Sequence, residues 1–404
     1  MNVVGILVLQ GEEDVKDKHY SAALTTHSPT HSTSAEHTHL KFLGCLLGGA
    51  IGDALGAPVE FMKRSAILSQ FGPEGITTYA PAFGGLGRIT DDTQMTLFTA
   101  EGLLRAWVRS CLRGIGADLP AITAHAYLRW LQTQGERPYC QSDLGTEYSG
   151  WLVTHHDLHA LRAPGHTCIS ALRLMTGFRQ PAQNNSKGCG GVMRVAPVGL
   201  YMQRLHQAQH PAQTFELGSQ VAALTHGHPT GILSAGVFAL LIQQLANGAT
   251  LSEALTVART HLCQHAGHEE TLHALLRAQQ LAAQPRAAAE AIAQLGEGWV
   301  AEEALAIAVY CALTAESFTQ GIIHAANHDG DSDSTAAMTG NLLGTLYGAQ
   351  ALPSAWLEPL ELHDVIAELA EDLYHFPTWP LTDTSSSAQE QTQCDYLWQK
   401  YPGY

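Results

Sequence analysis

The sequence predicts an all-α fold, a multi-helix bundle, and two observations carry that reading. Apolar residues recur at three-and-four spacing in segment after segment, while alternating β-branched runs are nearly absent. Two distant stretches, "GCLLGGAIGDALG" and "GNLLGTLYG", also repeat glycine every four residues, which places each glycine set on one helix face.

In chain order, residues 1–38 read as a flexible N-terminal arm. An apolar tip, "VVGILVL" (3–9), is followed by a polar stretch rich in Ser, Thr, His and acidic residues, with few core formers. A single helical domain is expected from about residue 39 to 376. Its first helix carries Gly44, Gly48, Gly52 and Gly56 and runs towards Glu60. Glycine inside a helix costs about 1 kcal/mol against alanine, so the repeat needs a reason, and close approach of a second helix supplies one. Next, "GRITDDTQMTL" sets Thr90, Asp91 and Asp92 just before the helical "TQMTLFTAEGLLRAWVRSCL" (93–112). Alone, this cluster reads as helix capping.

Further helices are expected at "PAITAHAYLRWLQTQ", "TFELGSQVAALTH", "LSEALTVARTHLCQ", "AEEALAIAVYCALTAESF" and "LHDVIAELAEDLYHF". Between the first two lies "NNSKGCGGVMRVAPVGL" (184–200). Its glycines allow a backbone to approach a ligand, although such loops are usually only turns. Near the end, "NHDGDSDSTAAMTGNLLGTLYG" (327–348) places Asp329, Asp331 and Asp333 at alternate positions before Gly340, Gly344 and Gly348. If the two glycine helices pack antiparallel, Glu60 meets Asp331 and Asp333 at one end. The tail, 377–404, begins as a Ser/Gln-rich linker and finishes in aromatics expected to dock.

Two separate groups of carboxylates and hydroxyls are hard oxygen donors suited to Mg²⁺, Mn²⁺ or Ca²⁺. An EF-hand does not fit, because its glycine falls on Ser334 and its terminal glutamate on Gly340. Zinc at His155/His159 or His261/His265 is not adopted: neither pair sits in an H-E-x-x-H frame, and 22 histidines produce chance pairs.

A net charge of −16 argues against nucleic-acid or anionic-membrane binding, which favour basic surfaces. Apolar runs such as "GILSAGVFALLI" are too short to span a bilayer. No basic segment precedes the apolar start and no cleavage site follows it. The eight scattered cysteines form no C-x-x-C and read as reduced thiols, so a cytoplasmic protein is expected.

Five motifs in order, "GGAIGDALGAPVE", "GRITDDTQMT", "SKGCGGVMRVAPVG", "THGHPTG" and "DGDSDSTAAMTGNLLG", resemble the ADP-ribosylglycohydrolases over roughly residues 40–376. The resemblance implies a compact orthogonal helical bundle with a binuclear Mg²⁺ or Mn²⁺ centre that removes ADP-ribose from modified side chains. Thr90, Asp91, Asp92, Asp331, Asp333 and Ser334 match the family's metal-ligand positions, and Glu60 its active-site glutamate. Ser186, Gly188, Cys189, Gly190, Gly191 and His226 match its ADP-ribose-contacting loops. Asp329 would stand behind the ligands, and Ala336 replaces a frequent glycine.

The chemistry suits these residues. Cleavage at C1″ passes through an oxocarbenium-like state. Two hard cations would orient the ribose diol and a water. Glu60, Asp92 and Asp331 are the candidate catalytic carboxylates, able to take a proton from that water or return one to the leaving nitrogen.

The motif wording sits nearer the arginine-type members. O-linked, serine-type hydrolysis stays open, as does a non-catalytic binding protein, although no ligand position is lost. The arm has no counterpart in the family core. It is read either as a binding arm for a cognate ADP-ribosyltransferase, which would make the chain an immunity protein, or as a terminus without a role.

Overall fold

The computed structural model describes residues 34–139, 149–206, 210–381 and 387–403. The apolar tip and most of the arm lie outside them. Among the described residues there is no strand, as the all-α reading expected. The helix α1 (Ser34–Gly56) begins at Ser34, ahead of the expected residue 39, and α2 (Arg64–Phe71), α3 (Asp91–Arg113) and α4 (Leu119–Thr133) follow. After two short 3₁₀ turns come α5 (His166–Leu174), α6 (Ala196–His206), α7 (Pro211–Ala223) and α8 (Pro229–Ala246). The second half contains α9 (Leu251–Leu262), α10 (Glu269–Ala282), α11 (Ala288–Ile292), α12 (Ala301–Thr314) and α13 (Phe318–Ala326). It ends with α14 (Ser332–Tyr347), α15 (Ser354–Leu357), α16 (His363–His375) and α17 (Ala388–Lys400).

The glycine faces meet. A Cβ built on Gly344 would lie 1.9 Å from the Gly44 carbonyl oxygen, and one on Gly48 would lie 2.6 Å from that of Gly340. Gly52 opposes Ala336, and Gly56 opposes Ser332. Numbers rise along α1 as they fall along α14, so the pair is antiparallel and in backbone contact. Ala336 is tolerated because Gly52 supplies the space: a Cβ on Gly52 would meet the Ala336 carbonyl at 2.0 Å.

Two expectations need correction. The segment 301–318 is not one helix: α12 stops at Thr314, and Ser317 caps α13 by accepting the Gln320 N–H at 3.2 Å. A serine N-cap outcompetes continued periodicity. The apolar run around 231–242 lies within α8, which is 18 residues long and apolar enough to cross a membrane, although 83% of it is buried inside the fold. Burial in the core accounts for its composition.

The tail docks. Cys394, Leu397 and Lys400 of α17 are buried, Lys400 Nζ lies 4.1 Å over the Trp151 ring, and Tyr401 stacks on Trp379 at 5.7 Å.

Candidate metal centre and active site

Each cluster sits where a helix begins. Thr90 is the N-cap of α3, its Oγ1 accepting the Asp92 N–H at 3.3 Å. Asp331 is the N-cap of α14 and accepts the Ser334 N–H at 3.3 Å, while Asp333 accepts the same N–H at 3.0 Å. The capping reading is therefore present, and it accounts for only part of each carboxylate. The antiparallel pairing brings the end of α1 to the start of α14. One ligand atom each from Glu60, Asp331 and Asp333 consequently falls within 4.8 Å of the others.

These groups surround a cavity of about 310 Å³. Glu60, Asp91, Asp92, Asp331, Asp333 and Ser334 line it, as do Gly188, Cys189, Gly190 and His226. Thr90, Ser186 and Gly191 are not on its surface. Thr90 is fully buried, and Ser186 hydrogen-bonds Thr167 Oγ1 at 3.0 Å. A Cβ added to Gly191 would crowd His226 Nδ1 at 3.1 Å, so this glycine seats the imidazole. Burial and the nearby Arg194 hold His226 down to about 3, so it is neutral, with Thr225 Oγ1 2.9 Å from its Nδ1. The Cys189 thiol donates to Asp331 Oδ2 at 2.7 Å. Burial, followed by the charges of Asp331 and Asp92, lifts that thiol well above its usual range.

The electrostatics are those of anions lacking a counter-charge. Burial first, then Asp333, Asp331 and Asp91, push Glu60 up to about 11. Asp91, Asp92 and Asp331 are raised well above the carboxylate range, chiefly by burial. Asp92 Oδ1 is buried with no hydrogen-bond partner among the described residues. Hard oxygen donors, mutual repulsion and an orphaned carboxylate oxygen fit a divalent cation of the Mg²⁺ or Mn²⁺ kind.

Sequence reasoning missed Asp53. It is fully buried in α1 and accepts Thr90 N at both oxygens (3.0 Å each), Thr93 N at 3.1 Å, and the Thr93 hydroxyl. An acid inside an otherwise small and apolar helix was the available signal. Also missed were Phe61 and Trp299, which stack at 5.3 Å on the cavity lining. Asp329 accepts the Arg64 N–H at 2.7 Å at the start of α2 and pairs with Lys63 at 3.4 Å. The two histidine pairs build no three-ligand group among the described residues: His159 bonds the Val153 carbonyl, and His265 stacks on Phe215.

The chain matches the family model described as ADP-ribosylglycohydrolase over residues 34–380. It is 26% identical to the ADP-ribosyl-dinitrogen reductase glycohydrolase of Rhodospirillum rubrum, covering 80% of this chain and 91% of that one. An ADP-ribosylarginine hydrolase of Serratia proteamaculans is 25% identical, with 83% and 79% covered. An ADP-ribosylhydrolase of Mus musculus is 26% identical, with 84% and 93% covered. Among solved structures, an "ADP-ribosylglycohydrolase-related protein complex" superposes with a TM-score of 0.61 at 25% identity, covering 84% of this chain and 99% of that chain.

Proposed function

Since the chain belongs to the ADP-ribosylglycohydrolase family, hydrolases of ADP-ribose glycosyl bonds, we propose that this cavity releases ADP-ribose from arginine side chains of modified proteins. The observation that carries the proposal is the crowding of Glu60, Asp331 and Asp333 within 4.8 Å, in one cavity with Asp91 and Asp92. The arginine linkage is favoured by the relatives named for it.

Asp91, Asp92, Asp331 and Asp333 would hold the cations, with Thr90 and Ser334 completing the two groups. A divalent cation held there would supply positive charge for binding a ribose diol and a water. Glu60, crowded against Asp331 and Asp333 in the cavity, would return a proton to the departing guanidine nitrogen. Asp92, on the same cavity, would be the acceptor for a proton from water. Asp331 already holds one hydrogen bond from Cys189, which fixes its rotamer. Gly188 and Gly190 present bare backbone to the ligand beside neutral His226.

The test is to incubate the purified protein with ADP-ribosyl-arginine and ADP-ribosyl-serine proteins, with and without Mg²⁺. Release from arginine alone, dependent on Mg²⁺, is the expected result. Release from serine alone assigns the O-linked reaction instead, and no release from either overturns the hydrolase reading of this site.

A further inference from the structure

We propose that His39, Glu371 and His375 form a second metal site, for a borderline transition cation such as Zn²⁺, that clips the start of α1 to the end of α16. One ligand atom from each of the three falls within 4.8 Å of the other two. None of them lines the acidic cavity.

The donor set decides the metal. Two imidazoles and one carboxylate favour Zn²⁺, whereas the oxygen-only cavity favours Mg²⁺ or Mn²⁺. Geometry agrees. Tetrahedral ligands about 2.1 Å from zinc stand roughly 3.4 Å apart. His375 Nε2 is already 3.5 Å from Glu371 Oε2. His39 Nε2, now hydrogen-bonded to that oxygen at 2.7 Å, needs to retreat by roughly 0.7 Å to reach the same spacing.

The scaffold is rigid. Glu371 and His375 are one turn apart on α16, and His39 faces them from α1. Tyr374 lies between the elements, with its ring centroid 5.0 Å from His39, 5.5 Å from Phe42 and 4.9 Å from His375. Arg204 lies over that ring and donates to the Tyr374 carbonyl at 2.7 Å, which engages the nearby cation. Side-chain exposures of 26% for His39, 39% for Glu371 and 53% for His375 leave an entry path. Three protein ligands also leave a coordination position for water.

The test uses the untagged full chain, stripped with chelator and returned to excess Mg²⁺ to fill the acidic cavity. Zinc is then titrated against a zinc-sensitive chromophore. The parent should take up one zinc with a rise in melting temperature. A His39→Gln/His375→Gln variant should bind at least about tenfold more weakly and show no such rise, since changes even behind a ligand cost 10–100-fold. An Asp331→Asn/Asp333→Asn variant should keep this zinc. Glu371→Gln gives an independent reading if the double variant loses its helical circular dichroism. Equal zinc binding in the parent and the histidine variant, loss of zinc in the aspartate variant, or no competition by the parent would each overturn the site.

Discussion

Asp53 receives the backbone N–H of Thr90 through both carboxylate oxygens, at 3.0 Å each. A carboxylate on α1 therefore sets the position at which α3 begins, and with it Asp91 and Asp92. Burial and then Asp333 push Asp53 up to about 7, against the pull of its hydrogen bonds.

Replacing Asp53 should disturb both stability and the site. Asp53→Ala strands the Thr90 and Thr93 donors in a dry interior, at about 1–3 kcal/mol per unsatisfied group. Asp53→Asn keeps the volume but turns an amide towards N–H donors. It should weaken divalent-cation affinity about 10–100-fold, as expected for a residue behind a ligand. Calorimetric titration with Mn²⁺ measures it, and an unchanged affinity removes Asp53 from the site.

The glycine contact forbids even a methyl group. Gly344→Ala should cost about 1–3 kcal/mol or more by overpacking. Gly116→Ala, where no described residue stands within 4 Å of the added carbon, should stay within about 0.5 kcal/mol. Urea unfolding of the two variants separates them. Equal midpoints would show that α1 and α14 adjust without strain.

Cation removal and pH should act in opposite directions. Glu60, raised to about 11, and Asp53, raised to about 7, bind protons more readily folded than unfolded. Where the native state holds more protons, stability falls as pH rises from the ordinary carboxylate range through the folded value. The chelated protein should thus melt higher near about pH 5.5 than near about pH 8. Cation affinity should rise over the same interval, because the cation displaces those protons. EDTA should abolish turnover, as should Asp333→Ala with helical content kept. Full turnover after exhaustive EDTA treatment would falsify the metal assignment.

Phe61 is 69% exposed, holds φ at +66° and stacks on Trp299 at the cavity. A bulky residue in the left-handed region carries roughly 1–3 kcal/mol of strain, which functional sites often retain. Phe61→Ala should raise KM several-fold with kcat little changed, and Trp299→Ala should do the same. A fall in kcat at unchanged KM would place the pair in the chemistry instead of in substrate holding.

The arm remains a hypothesis from sequence, motivated by an apolar tip on a polar tether. Removing residues 1–33 should leave hydrolase activity intact while sharply lowering affinity for a cognate ADP-ribosyltransferase. Surface-bound transferase and both protein forms suffice for the measurement. Equal affinity of the two forms leaves the arm without this role.

The sequence by itself determined the all-α class, the two glycine faces and the acidic clusters at helix starts, because each is written in residues a few positions apart. Spacing by four in 44–56 and 340–348 made their contact legible in the sequence. Family motifs named Glu60, Asp91, Asp331 and their neighbours, but not their depth. Only the tertiary structure decided that Asp53 anchors Thr90, that Phe61 meets Trp299, and that Asp329 accepts the Arg64 N–H at the start of α2. It alone joined His39 to Glu371 across 332 residues. The physical reason is range: periodicity and capping act within a turn or two of helix. A carboxylate's partner across the bundle depends on where two helices cross, and only the packed core sets that.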